Sequence, residues 1–204
     1  MRHATSRELF AYWDRIRDGE AAPRRCDVEP GEIRRILGDT FILEVIGRKD
    51  HLVRLAGTRM CSLYGREIKG MPFLALWSRD DRETIASAVA DVCKDAIGAV
   101  LDVDLVSARG RSVACEFLLL PLRHGVTSRD RILGSCAPHR RPYWFGSDPI
   151  VRQSVTGSRL VWPDGHARGA AREPARFVSL PPAFFRAGEG RRHGHLYVVD
   201  GGKS

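Results

Sequence analysis

The chain has 204 residues, 43% of them apolar, which is enough for one sizeable hydrophobic core and makes a single domain with extensions the natural expectation. It contains no run of about 18 apolar residues, and its N-terminus carries acidic residues where a secretory signal needs a continuous apolar stretch. We therefore predict a cytoplasmic protein that does not insert into a membrane.

The net charge of +8 raises the question of nucleic-acid binding. Residues 1–140 carry 23 Lys and Arg against 20 Asp and Glu, whereas residues 141–204 carry 10 against 5. The basic excess is therefore proportionally greater in the C-terminal part, and the near balance elsewhere argues against nucleic acid as the main partner. A nucleic-acid-binding accessory protein that acts through its arginine-rich tail is kept as the alternative function.

The N-terminal segment predicts an amphipathic helix over residues 6–18, with Thr5 and Glu8 as a capping box and Gly19 as the stop. Four apolar side chains recur at helical spacing, namely Leu9, Phe10, Trp13 and Ile16. We interpret this stripe as a docking face and as the candidate surface for self-association into a homodimer. A linker and a second short helix, which begins near Pro30, follow.

Two strands are predicted next. Residues 40–47 are rich in β-branched and large apolar side chains, and residues 51–57 return after a polar turn. Residues 58–64 and 72–77 predict two helical turns that are too short to be stable alone, so both must pack against the sheet. We expect a ligand-sized hollow in the gap between these turns.

The longest predicted helix spans residues 79–96, with Ser78 and Asp81 as its capping pair. Its apolar stripe indicates that it covers one face of a sheet. Three further strands are predicted, at residues 99–106, 112–122 and 131–137. The first of them alternates apolar and acidic residues, which is typical of a strand exposed to solvent on one side.

This order of elements predicts an α+β fold, a five-stranded antiparallel sheet with helices packed on one face and an N-terminal amphipathic helix. We divide the chain into an N-terminal helix and linker (1–30), a sheet domain (31–145) and a partly ordered to disordered basic tail (146–204). Residues 159–165 in the tail either add a strand or cover the sheet. The apolar patch at 177–185 either packs on its own domain or anchors a partner.

Several segments of the chain carry a family resemblance. They are YWDRIRDGEAAPRR (12–25), RLAGTRMCSLYGREIKGMPFLALW (54–77), LLLPLRH (118–124), RILGSCAP (131–138), PYWFGSDPI (142–150) and RLVWPDG (159–165). Together they resemble the PAS domain family, and more closely the short single-PAS proteins of alphaproteobacteria, over about residues 10–165. The resemblance implies a sensory or regulatory module, not an enzyme, that encloses a pocket and acts in trans on a signalling protein partner.

Two departures from other branches of the family bear on the cofactor. Flavin-photosensing members place a reactive cysteine in the segment that corresponds to residues 65–70, which contains none. Haem-sensing members present a histidine from the long helix, and residues 79–96 contain none. We therefore predict no haem and no adduct-forming flavin, and leave open whether a small organic ligand binds.

The candidate pocket combines aromatic and aliphatic side chains with two arginines that are suited to an anionic group. Its residues are Arg54, Tyr64, Arg66, Phe73, Trp77, Ile85 and Val89. The alternative interpretation is that the aromatic side chains fill the core and both arginines are solvated.

The sequence shows no catalytic or metal-binding motif. It has no GxSxG elbow, no helical HExxH and no CxxC pair. The spacings of Cys136 with His139 and of His193 with His195 are short enough for a metal, but neither pair supplies four ligands. We predict no catalysis and no metal site, and expect the five cysteines to be reduced.

Overall fold

The computed structural model describes residues 1–47, 49–125 and 128–163 and the backbone of three two-residue strands beyond them. The α-helices are α1 (Ala4–Ile16), α2 (Thr58–Leu63) and α3 (Arg82–Asp95). The strands are β1 (Thr40–Val45), β2 (His51–Ala56), β3 (Gly98–Ser107), β4 (Ser112–His124), β5 (Ser128–Pro138), β6 (Ile150–Val161), β7 (Val178–Ser179), β8 (Arg192–His193) and β9 (Leu196–Tyr197). Among the described residues, no helix has the length and apolar character that crossing a membrane requires.

One antiparallel sheet organises the chain, with the strand order β2-β1-β5-β4-β3-β6-β7. The predicted α+β fold with an antiparallel sheet is therefore confirmed, but the sheet is larger than the five strands expected. Strand β6 pairs with β3 from Gly98 to Ser107, and the two-residue β7 pairs with β6. Without β6, strand β3 would be a sheet edge with unpaired backbone N–H and C=O groups, and β6 pairs with these groups. Strands β8 and β9 form a separate pair.

The predicted helix ends differ from the observed ones by a few residues. Helix α1 begins two residues early because the His3 Nδ1 accepts a hydrogen bond from the Thr5 N–H (3.1 Å) and caps it. Helix α3 begins at Arg82, after a 3-10 turn in which the Ser78 hydroxyl donates to Asp81 (2.5 Å). The second short helix is instead a pair of 3-10 turns, Pro30–Ile33 and Leu37–Asp39.

Helices α2 and α3 and the 3-10 turn Phe73–Leu76 pack on one face of the sheet, which we call the inner face. Strand side chains such as Leu101 of β3 and Phe117 of β4 meet Ile85 and Val89 of α3 there, all at most 1% exposed. The period of two along each strand places these residues on a common side. The inner face is thus a continuous apolar core.

The opposite, outer face of the sheet is also covered, so the helices are not gathered on one face as predicted. Helix α1 and residues 17–39, together called the N-terminal layer, pack on it, with Leu9 and Trp13 fully buried. The Trp13 indole N–H donates to the Pro121 carbonyl (2.7 Å). The physical reason is that β4 also places apolar side chains on this face, namely Leu118, Leu120 and Leu122.

A buried carboxylate fixes the start of the N-terminal layer. Glu116 of β4 is fully buried and accepts hydrogen bonds from the backbone N–H groups of Arg2 (2.8 Å) and His3 (3.1 Å). Arg159 of β6 donates to Glu116 (2.7 Å) and also to Asp102 of β3 (2.8 Å). Burial raises the pKa of Glu116, but the backbone donors, the Ser6 hydroxyl and the N-terminal charge together outweigh it, and the pKa lies below its ordinary value.

We predict that Glu116→Gln destabilises the protein by about 3 kcal/mol at pH 7, because it leaves the Arg159 guanidinium and the start of α1 without their anion. Since the folded-state pKa is lowered, this stabilisation is present above the unfolded pKa of about 4.3 and is lost as the pH falls through the folded value. Urea unfolding from pH 7 to pH 3 therefore shows a gap between wild type and variant that closes toward acid. A gap independent of pH contradicts this role.

Candidate functional site

The aromatic residues predicted to line a hollow lie together in the inner core. The ring centroids of Phe73 and Trp77 are 5.7 Å apart in an edge-to-face arrangement, and those of Trp77 and Phe117 are 5.3 Å apart. Phe41 joins the cluster at 5.5 Å from Phe73. Such spacings are those of aromatic side chains in direct contact. These rings therefore pack against one another in a dense group on the inner face.

Tyr64 lies at the end of α2 in the same core and carries its polar group inward. Its hydroxyl donates to the Gln153 side-chain oxygen (2.7 Å), and Gln153 of β6 is fully buried. Burial raises the pKa of Tyr64 well above its ordinary value, so the phenol is neutral. Ile85 and Val89 of α3 are 0% exposed in the same core. Five of the seven predicted pocket residues therefore belong to one apolar cluster, namely Tyr64, Phe73, Trp77, Ile85 and Val89.

The two arginines of the predicted pocket lie elsewhere. Arg54 of β2 is exposed and pairs with Glu44 of β1, which also binds Arg131 (2.7 Å). Arg66 is exposed in the turn after α2. The structure therefore does not bring either of these two arginines to the aromatic cluster. A ligand in the inner core remains a prediction.

The apolar stripe of α1 faces its own sheet. Leu9 and Trp13 are fully buried in the outer-face core, while Phe10 and Ile16 are half-buried at its margin. The stripe therefore packs on the sheet of its own chain. Homodimer formation stays a prediction, but these four side chains no longer support it.

A groove lies between the N-terminal layer and the β1–β2 end of the sheet, and we call it the outer groove. Its volume is about 530 Å³, within the range of small-molecule sites, which is roughly 300–1,000 Å³. Its lining includes Ile33, Ile42, Leu55 and Leu133 from the two sides. Leu55 is 46% exposed at its mouth. The described part of the chain leaves this apolar surface uncovered.

Close backbone packing fixes one end of the outer groove. Gly57 approaches the carbonyl oxygens of Leu37 and Gly38 so tightly that a Cβ at this position would collide with both. Its N–H donates to the Thr40 carbonyl (2.8 Å). Such a wall has no flexible side chain that can give way. The end of the groove is therefore rigid.

The polar lining of the outer groove is cationic. Arg59 at the start of α2 lies over Gly38 and donates twice to Asp39, at 2.6 Å and 2.7 Å. Arg25 and Arg34 also line the groove, and neither pairs with a carboxylate of the described chain. No Asp or Glu appears among the described lining residues. The groove thus combines apolar walls with positive charge.

Sequence reasoning missed the outer groove. Segment 54–77, singled out as the builder of a hollow, does contribute Leu55 to Arg59, but from its first residues and on the other face of the sheet. None of the seven predicted pocket residues lines the groove. The missing information was that the N-terminal layer covers the outer face, which the run of six apolar residues at 117–122 indicates.

Other predicted sites are in part beyond the described residues. Within the described part of the chain, no group of three or more His, Cys, Asp or Glu residues is arranged to hold a metal. All five cysteines are described and free of disulfides. The side chains of His193 and His195, most of the basic tail and the apolar patch at 177–185 lie outside the described side chains. Phosphate binding by the tail therefore stays a prediction.

The sequence of the chain matches a known protein family. A family model described as "PAS domain" matches residues 1–137. No curated protein matches.

Solved structures with similar folds include a Rhodobacter sphaeroides LOV protein, at 16% identity and a TM-score of 0.42 over 57% of this chain and 71% of that one. A PAS domain from Colwellia psychrerythraea has 16% identity and a TM-score of 0.42, over 54% of this chain and 97% of that one. An RNA-binding light-oxygen-voltage receptor has 19% identity and a TM-score of 0.42, over 58% of this chain and 34% of that one.

We predict that Tyr64→Phe costs about 1–2 kcal/mol of stability, because the buried Gln153 oxygen loses its donor. The double variant Tyr64→Phe with Gln153→Leu recovers part of this loss, since it removes both polar groups together. Urea unfolding of the four proteins completes the cycle. Tyr143→Phe, at an 89% exposed position, is the control and changes stability by less than about 0.5 kcal/mol. Additive losses in the double variant would refute the pairing.

Proposed function

The chain belongs to the PAS domain family and is a sensory or regulatory domain, and we propose that it is a non-enzymatic cytoplasmic protein that acts in trans by binding a signalling protein. In this proposal a small ligand controls the binding. The observation that carries the proposal is the position of the outer groove, between the N-terminal layer and the sheet. A molecule in the groove would contact both parts at once.

The N-terminal layer is suited to transmit such an event because few polar contacts tie it to the sheet. Glu116 holds its start, and the Trp13 hydrogen bond holds its middle. Arg123 of β4 holds its later part by donating to the Pro23 carbonyl from its backbone (2.9 Å) and to Ala22 from its side chain (2.8 Å). A ligand that favours one position of the layer shifts the population of that position.

The partner-binding surface in this proposal is the outward side of the N-terminal layer. Helix α1 presents Arg7, Glu8, Ala11 and Arg15 as exposed residues on that side. Movement of the layer changes the position of these side chains relative to the sheet. The coupling is reciprocal, so a partner that binds one position of the layer also changes ligand affinity.

The test uses the full chain as bait in its native host, followed by purification of the captured protein and measurement of its Kd. We expect an identified signalling protein whose Kd changes at least threefold when Glu116→Gln loosens the N-terminal layer. Hydrogen exchange of α1 should rise in the same variant while that of α3 stays unchanged.

Glu83→Gln is the matched control, since its exposed carboxylate pairs with Lys49 (2.8 Å) at the surface, outside the N-terminal layer. It should leave both the Kd and the exchange of α1 near wild type. A partner that binds wild type and Glu116→Gln equally well, despite faster exchange in α1, contradicts transmission through the layer. Failure to recover a partner that binds in purified form contradicts action in trans.

A further inference from the structure

We propose that the outer groove is a binding site for an amphipathic organic anion, a molecule with one carboxylate or similar group and an aliphatic or aromatic body. This assignment names the class of ligand that controls partner binding in the proposed function. It rests on the proposed function only for the regulatory role of the ligand.

The walls select an apolar body. The groove is lined by Val28 and Ile33 of the N-terminal layer and by Ile42 of β1 and Leu133 of β5, which belong to the outer-face core and are at most 7% exposed. At its mouth, Leu37 is 37% exposed and Leu55 is 46% exposed, both among the exposed large hydrophobic residues of the described chain. Burial of this surface by an apolar group is favourable in proportion to the area removed from water. A purely polar ligand would leave it uncovered.

The charge of the lining selects an anion. The described lining residues include three arginines and no carboxylate, and Asp39 neutralises Arg59 alone. Arg25, which is half-buried, and Arg34, which is exposed, have no ionic partner in the described ranges. A guanidinium binds a carboxylate through two parallel hydrogen bonds. Arg24, which precedes Arg25 in the chain, does have such a partner in Asp27 (2.7 Å).

The site is also preorganised. The double hydrogen bond of Arg59 to Asp39 fixes the guanidinium over Gly38, where a Cβ would lie 2.9 Å from its central carbon. Together with the tight approach at Gly57, this holds one end of the groove in a single shape. A ligand that enters therefore loses little affinity to the ordering of its site.

The apolar patch at 177–185 of the same chain is a competing occupant that charge disfavours. The segment 166–204 carries seven Lys and Arg against three Asp and Glu. Bringing this basic segment to a groove lined by Arg25 and Arg34, which have no ionic partner among the described residues, opposes like charges. A small anion meets no such repulsion, and the volume of about 530 Å³ is that of a small-molecule site.

The experiment is calorimetric titration of the full chain with decanoate and, separately, with decanamide, which has the same body without the charge. We expect decanoate to bind at least tenfold more tightly than decanamide. The double variant Arg25→Gln with Arg34→Gln should lose that difference. Arg79→Gln with Arg109→Gln, at exposed positions outside the groove, should retain it.

A second variant pair locates the site. Leu55→Glu places a carboxylate at the mouth of the groove and should weaken decanoate binding at least tenfold. Val151→Glu is the matched control, since Val151 is an exposed apolar residue of β6 outside the groove lining, and it should have no effect. Melting curves confirm that each variant is folded.

Three results would overturn the assignment: no decanoate binding at 1 mM, equal binding of the acid and the amide, or full binding by Leu55→Glu. Displacement of decanoate by residues 166–204 added as a peptide would assign the groove to the chain's own tail and would equally overturn it. Decanoate binding that leaves the partner Kd unchanged supports the assignment and contradicts only the ligand control in the proposed function. The two failures are therefore distinguishable.

Discussion

The two-sided burial of strand β4 is the constraint on which the rest of the structure depends. Its residues alternate between the faces of the sheet, with Phe117 and Leu119 inward and Leu118 and Leu120 outward, all fully buried. A strand of this kind requires a cover on both faces. Helix α3 supplies the inner cover and the N-terminal layer the outer one. The buried Glu116 on the same strand then fixes where the outer cover starts.

The two covers differ in how completely they fill the space above the sheet. On the inner face, large aromatic side chains such as Trp77 and Phe117 interlock. On the outer face, the two 3-10 turns between Pro30 and Asp39 bridge the β1–β2 end of the sheet and leave the outer groove. Continuous helices pack along their length, whereas short turns do not. The open space therefore lies under the N-terminal layer.

Local sequence patterns were sufficient to predict most elements, because alternation and helical periodicity report which side of a segment is buried. The strands β1 to β5 and the helix α3 follow from such patterns to within a few residues. The candidate site could not be predicted from such patterns, because they do not say which surface packs against which. The apolar stripe that contains Trp13 is equally consistent with packing against a partner and with packing against its own sheet. Tyr64 and Trp77 are likewise equally consistent with lining a hollow and with filling the core.

The packing of the N-terminal layer against the outer face is central to the fold and to the proposed function, and the exchange rate of the Trp13 indole proton measures this packing directly. This N–H donates to the Pro121 carbonyl in the middle of the interface, and Trp13 is fully buried. In deuterium oxide at neutral pH we predict that the proton, assigned by comparison with Trp13→Phe, exchanges as slowly as the core amides of β4. Exchange as fast as that of an exposed indole would show that the layer does not cover the sheet.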